Sequence, residues 1–191
     1  MCGIAGIISP DPSKVSPEIL QRMSVALTHR GPDGDGVWIH DAGDKHVGFA
    51  HRRLAILDLS PAAAQPMHFR ERYTIVHNGE IYNHEELREE LTRLGHVFRT
   101  TSDTEVITLM LAAAGGRTWE ERVERTLPAW KGAYSLVMLV ADRVVAVRDP
   151  WGFRPLSVGR LPHGGYAVAS ETCALNTLGC VEIDEIGRAH V

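Results

Sequence analysis

The hydrophobic residues of this chain change period along its length, and that change most limits what it can fold into. Between Asn83 and Leu127 they recur at helical spacing, with Leu87, Leu91 and Leu94 in one stripe and Val106, Ile107, Met110 and Leu111 in another. On either side they gather into short runs that suit strands. Before the helical stretch these are Ile4–Ile8, Val37–Ile39, Val47–His51 and Tyr73–His77. After it they are Ala133–Val140, Val144–Arg148, Leu156–Gly159 and Tyr166–Ala169. One early helix interrupts the first group. Ser16 is a good N-cap, Pro17 suits the first helical position, and Ile19, Leu20, Met23 and Leu27 follow, which predicts a helix over Pro17–Thr28. Gly31-Pro32-Asp33-Gly34 is expected to end it in a turn. Asn83 is expected to cap the next helix, with Glu86 closing a capping box and Gly95 stopping it. A third should start near Ser102 or Asp103, and a fourth should cover Thr118 to Leu127. Strands, then helices, then strands predict an α+β domain of packed sheets and helices.

Size and charge narrow the class. At 191 residues the chain suits one domain with a sizeable core, and 44% hydrophobic with 23% charged residues is ordinary for a globular protein. A net charge of −4 without a basic run argues against a nucleic-acid partner. The longest apolar stretches, such as Ala133 to Ala141, are too short to cross a bilayer, and a secretory signal is not expected, since no basic region followed by a long apolar segment opens the sequence. Cys2, Cys173 and Cys180 form no CxxC pair and no metal-like spacing with the ten scattered histidines. No metal site is expected, and the cysteine usage suits a reducing, cytoplasmic setting.

Cys2 is the most informative residue. A cysteine directly after the initiator methionine is exposed when Met1 is trimmed, and it then carries a free α-amino group. That amine has a reference pKa of about 7.7–8.0, so one residue can supply both a thiol nucleophile and a proton acceptor. Taken alone, Cys2 reads better as a small buried residue at a strand start.

Its neighbours point elsewhere. Cys2-Gly3-Ile4-Ala5-Gly6-Ile7 resembles the opening of class II glutamine amidotransferases, which are N-terminal nucleophile hydrolases. Five further segments resemble the family in order: His29 to Gly34 (HRGPDG), Ala50 to Ile56 (AHRRLAI), His77 to Asn83 (HNGEIYN), Thr101 to Val106 (TSDTEV) and Arg148 to Leu156 (RDPWGFRPL). The resemblance runs from Met1 to about Cys180. It implies a four-layer αββα sandwich of two mainly antiparallel sheets, and a reaction that releases ammonia from glutamine through a thioester on Cys2.

The resemblance also implies roles for other residues. Asn78, by its side-chain amide, and Gly79, by its backbone N–H, match the oxyanion hole. Donors aimed at a developing oxyanion are usually the largest catalytic contribution. Asn-Gly is equally a tight-turn dipeptide, and turn and site are expected to coincide here. Arg53 matches the residue that grips the substrate carboxylate, a bidentate task. Asp103 matches the acceptor of the substrate ammonium, and Glu80 is expected to help fix it. Taken alone, Arg53 could be a surface cation and Asp103 a helix cap. Arg30 and Asp33 are expected to shape the loop beside Cys2. Arg148, Asp149 and Arg154 are expected to form structural ion pairs or an inter-domain surface.

The two parts of the chain resemble different members of the family. Residues 1–107 are similar to glutamine-hydrolysing asparagine synthetase, and residues 119–180 to amidophosphoribosyltransferase, with the seam near TSDTEVI. Because Cys2, Arg53, Asn78 and Asp103 lie in the first part, asparagine synthetase is the first expectation for the parent enzyme. Residues 1–184 are expected to form the glutaminase domain, C-terminally truncated. The final EIGRAHV (185–191) is expected to be non-native, since one codon choice for it reads as a sequencing adapter. No cofactor is expected for this domain. ATP and Mg, or phosphoribosyl pyrophosphate and Mg, would belong to a missing acceptor domain in cis, and the full-length protein could form a homo-oligomer. Two other classes stand beside the leading one: a silent glutamine-binding module, and an N-terminal nucleophile hydrolase acting on another amide.

Overall fold

A computed structural model describes residues 1–69 and 73–187. Among these residues ten strands form two sheets, and every strand pairing is antiparallel. In chain order the elements are β1 (Gly3–Ser9), α1 (Pro17–Ala26), β2 (Gly34–Ala42), β3 (Lys45–Arg53), β4 (Met67–Phe69), β5 (Tyr73–Ile81), α2 (His84–Arg93), α3 (Asp103–Ala113), α4 (Trp119–Thr126), β6 (Gly132–Val140), β7 (Arg143–Arg148), β8 (Ser157–Arg160), β9 (Tyr166–Ala169), α5 (Thr172–Asn176) and β10 (Val181–Glu185). The six-stranded sheet runs β10-β8-β9-β1-β3-β2, and the four-stranded sheet runs β4-β5-β6-β7.

Three apolar cores separate four layers. Leu20, Met23 and Leu27 of the α1 region, with Ala174 and Leu175 of α5, cover the outer face of the six-stranded sheet at Ala5, Ile7 and Ala167. Leu87, Leu91, Val106, Ile107 and Val123 of α2 to α4 cover the outer face of the other sheet at Ile75, Leu136 and Met138. Between the sheets lie Ile4, Val47, Phe49, Val76, Val137, Leu139, Leu156 and Val168. Alternate residues of one strand therefore serve different cores, as a pleat of period two requires. Ile4 and Ile8 of β1 face the inter-sheet core, while Ala5 and Ile7 face α1. This is the expected αββα sandwich.

Helix starts follow their caps where the cap is local. Ser16 Oγ accepts from the Ile19 N–H, Ser102 Oγ from Thr104 N–H, and Thr118 Oγ1 from Glu121 N–H. The capping box expected at Asn83 does not form. The Asn83 side chain instead accepts from Lys131 N–H at 3.0 Å and donates to the Ala129 carbonyl at 3.0 Å. The turn expected at Asn78-Gly79 is also corrected, because both residues lie inside β5, opposite Ser135 and Tyr134 of β6. The first helix stops at Ala26, and Thr28–Arg30 form a 3-10 turn before β2. Strands β4 and β10 and the short α5 were not expected. Glu185 ends β10 and pairs with Arg148 at 2.8 Å, and Ile186 N–H donates to the Leu156 carbonyl. Residues 188–191 of the expected tail lie outside the described residues.

Candidate active site

One pocket opens at the end of the inter-sheet space, and every residue expected to act lines it: Cys2, Arg53, Asn78, Gly79, Glu80 and Asp103. The strand ladder explains this. Cys2 sits immediately before β1, which is an interior strand held by β3 on one side and β9 on the other. Arg30 fixes the same point from outside, donating from Nε to the Cys2 carbonyl at 2.9 Å while its Nη1 binds Glu171 at 2.7 Å. Asp33 accepts from Ala55 N–H at 2.8 Å, which holds the loop that follows β3. Arg30 and Asp33 thus shape the surroundings of Cys2, as expected.

The Cys2 thiol contacts one backbone residue in two ways. Leu54 N–H donates to Sγ at 3.4 Å, and the Leu54 carbonyl lies 3.7 Å from it. Burial pushes the thiol above its ordinary pKa, and the Leu54 hydrogen bond and the nearby N-terminal ammonium act against that. Burial lowers the pKa of the terminal ammonium itself, which here belongs to Met1. Met1 also lines the pocket, and its Sδ touches the Arg154 guanidinium.

Asn78 is fully buried, and its Nδ2 lies 3.5 Å from Ser135 Oγ while its Oδ1 has no partner among the described residues. Gly79 has φ +150, and a Cβ there would come within 2.2 Å of the Ala133 carbonyl oxygen and 2.5 Å of Tyr134 Cα. Its position in the ladder therefore admits only glycine. Asp103 opens α3, but Ser102 performs the capping, so the Asp103 carboxylate is free to act elsewhere. Its Oδ2 accepts from Ile81 N–H at 3.0 Å, just past Glu80. Arg53 donates to the Ser60 carbonyl at 3.1 Å and to that of Asp58, which uses two of the five guanidinium N–H groups. Asp58 in turn accepts from Ser60 and from Thr101 N–H, and these bonds hold its carboxyl down to about 2.

The structure adds residues that sequence reasoning did not single out. His51 and His77 lie in the pocket wall, both buried, and burial lowers both pKa values, that of His51 to about 3. Both are therefore neutral at physiological pH, and His51 is a poor proton acceptor. Gln65 Oε1 accepts from His77 N–H at 2.6 Å, and Gln65 Nε2 donates to Thr104 Oγ1, which also bonds His77 Nδ1. His51 and His77 sit inside motifs already noted, so their place was a usable signal. Thr104 also sits inside a noted motif, but its meeting with Gln65 across 39 residues was not foreshadowed. Arg148 and Asp149 are structural. Arg148 pairs with Glu185, and Asp149 accepts from the N–H groups of Tyr134, Trp151, Phe153 and Arg154. The Arg154 side chain departs from that group and lines the pocket. Among the described residues, no group of three or more His, Cys, Asp or Glu side chains could hold a metal ion, and no helix is long and apolar enough to cross a membrane.

Comparison with known proteins gives this geometry a family. Residues 1–189 match the model of the glutamine amidotransferase domain. The chain belongs to that family. It is a class II domain of the N-terminal nucleophile type, and its relatives are enzymes. An amidophosphoribosyltransferase of Methanocaldococcus jannaschii is 34% identical over 220 residues, covering 100% of this chain and 46% of the relative. A glutamine-hydrolysing asparagine synthetase of Bacillus subtilis is 36% identical over 191 residues, covering 97% of this chain and 28% of the relative. Among solved structures, the glutamine phosphoribosylpyrophosphate amidotransferase from B. subtilis, complexed with ADP and GMP, superposes with a TM-score of 0.84. It is 26% identical, and the match covers 97% of this amidotransferase chain and 45% of that one. The chain thus spans less than half the length of these relatives.

Proposed function

We propose that this domain hydrolyses the side-chain amide of glutamine, with Cys2 as the nucleophile once Met1 is removed. The observation that carries the reading is the convergence of Cys2, Asn78, Gly79, Arg53 and Asp103 on one pocket. The thiolate attacks the amide carbon, and Asn78 and the Gly79 N–H receive the oxyanion. The α-amino group of Cys2 takes the thiol proton and returns it to the leaving ammonia. No histidine N–H or ring nitrogen contacts Sγ among the described residues, which supports the amine as base. Arg53 holds the substrate carboxylate, and Asp103, with Glu80, holds its ammonium. This clamp favours glutamine over other amides. Water then cleaves the thioester to give glutamate.

The acceptor of the ammonia belongs to a segment beyond this domain. Amidophosphoribosyltransferase is the better-supported parent, because a relative of that kind matches the whole chain and the solved structure above is of that kind. That reverses the order expected from the first 107 residues. Asparagine synthetase is the second reading, supported by 36% identity over 97% of the chain. Phosphoribosyl pyrophosphate and Mg, or ATP and Mg, would be bound by that further segment.

The test is the intact mass of the purified protein with and without a diazo-ketone analogue of glutamine. Loss of Met1 and one adduct, abolished by Cys2→Ala, is the expected result. A folded protein that keeps Met1 and stays unmodified would overturn the proposal.

A further inference from the structure

Ser135 is a hydroxyl in an apolar row. Along β6 the residues facing the other sheet are Ala133, Ser135, Val137 and Leu139, of which Val137 and Leu139 belong to the inter-sheet core. Ser135 is fully buried and stands directly opposite Asn78 in the β5–β6 ladder. A buried hydroxyl is costly unless it is hydrogen-bonded, and the neighbour within reach is the Asn78 amide, 3.5 Å away. Drawn with Nδ2 toward Ser135, this pair leaves two groups unused: Asn78 Oδ1 has no partner, and the Ser135 proton meets no acceptor among the described residues. A half-turn of the amide about its last side-chain bond resolves both. Ser135 O–H then donates to Oδ1, and Nδ2 takes the unpartnered place of Oδ1 in a residue that lines the pocket.

We propose that Ser135 is a positioning residue that turns the Asn78 amide so that its N–H, not its carbonyl, faces the reacting oxygen. This rests on the glutaminase reading above and extends it to a residue that does not line the pocket. With the amide reversed, a carbonyl dipole would oppose the oxyanion instead of stabilising it. Ser135 thereby acts on the rate of the chemical step and hardly on substrate affinity, which Arg53 and Asp103 supply.

The experiment measures ammonia release from glutamine by the wild type, Ser135→Ala, Ser135→Thr, Asn78→Ala and the double Ser135→Ala/Asn78→Ala variant. Ser135→Ala should lower kcat about 10- to 100-fold, the scale of a misplaced catalytic group, with KM little changed. Ser135→Thr, which keeps the hydroxyl, should restore most of the rate. In the Asn78→Ala background Ser135→Ala should cost nothing further, whereas a purely structural role would cost the same in both backgrounds. Should Ser135→Ala not fold, Ser135→Cys, close in volume and a weak donor, carries the same test. Full activity in Ser135→Ala, or equal losses in both backgrounds, would overturn the inference while leaving the glutaminase reading intact. A wild type that releases no ammonia overturns both.

Discussion

The space between the two sheets has a dry end and a wet end, and the same strands build both. Inward positions of β1 read Ile8, Gly6, Ile4 and then Cys2; those of β3 read Val47, Phe49, His51 and Arg53; those of β5 read Val76 and Asn78; those of β6 read Leu139, Val137 and Ser135. The register lines these rows up, so that Ile4 pairs with His51, Gly6 with Phe49, and Asn78 with Ser135. Each strand keeps its backbone pattern and changes its side-chain chemistry within about two residues. Stability and activity are thereby assigned to opposite ends of one interface, with no loop needed to separate them.

That division can be broken at either end. The largest effect should come from Cys2→Ala at the wet end. Glutamine hydrolysis should fall by on the order of 10^4-fold or more, while the urea midpoint stays where it was. A surviving activity would remove the nucleophile from the scheme. At the dry end, Phe49→Ala should cost about 3–5 kcal/mol, read as a lower urea midpoint, because a fully buried ring leaves a cavity between the sheets. The folded fraction should keep its KM. A change in KM without loss of stability would show that the two ends are not separate.

Two milder substitutions sharpen the contrast. Arg53→Lys keeps the charge but loses the fork, so KM for glutamine should rise about tenfold with kcat nearly kept. The smallest effect should come from Asp58, which ties the Arg53 loop to the start of α3 through Thr101. Its folded pKa is lowered to about 2 from an ordinary 3.8, so its contribution is complete above about pH 4 and is lost as pH falls through 2. Between those values the wild type should lose more stability than Asp58→Asn in acid titrations followed by circular dichroism. Parallel curves for the two proteins would show that the Asp58 bonds contribute nothing.

Legibility in the sequence followed the range of the interactions. Ser16, Ser102 and Thr118 cap helices through bonds to residues two or three positions on, and the helix starts were readable from them. Asn83 looked like the same signal, but its side chain is taken by the Ala129–Lys131 backbone, 46 and 48 residues away. Asn78-Gly79 has the composition of a turn and lies in a strand, because β6 arrives from the far side of three helices to pair with it. Strand β10 carries a bulge and mostly exposed residues, so its alternation was faint. Cys2, Arg53, Asn78, Gly79, Glu80 and Asp103 could be picked out as a set because family resemblance marks residues whose partners are distant. The same resemblance spans Gln65, Thr104 and Ser135 but gave them no role, because their places depend on cross-strand and helix-to-strand meetings.

The interior position of β1 has a practical side. Its first residue pairs with Arg52 of β3, β9 joins from Ala5 onward, and Arg30 holds the Cys2 carbonyl from outside, so the chain has little slack with which to swing its beginning away. Whatever precedes Cys2 must therefore start at the mouth of the pocket, as Met1 does. An affinity handle or fluorescent fusion placed at that end would act as a plug, and it would also convert the terminal amine into an amide. Purification and labelling schemes for this domain belong at the other terminus.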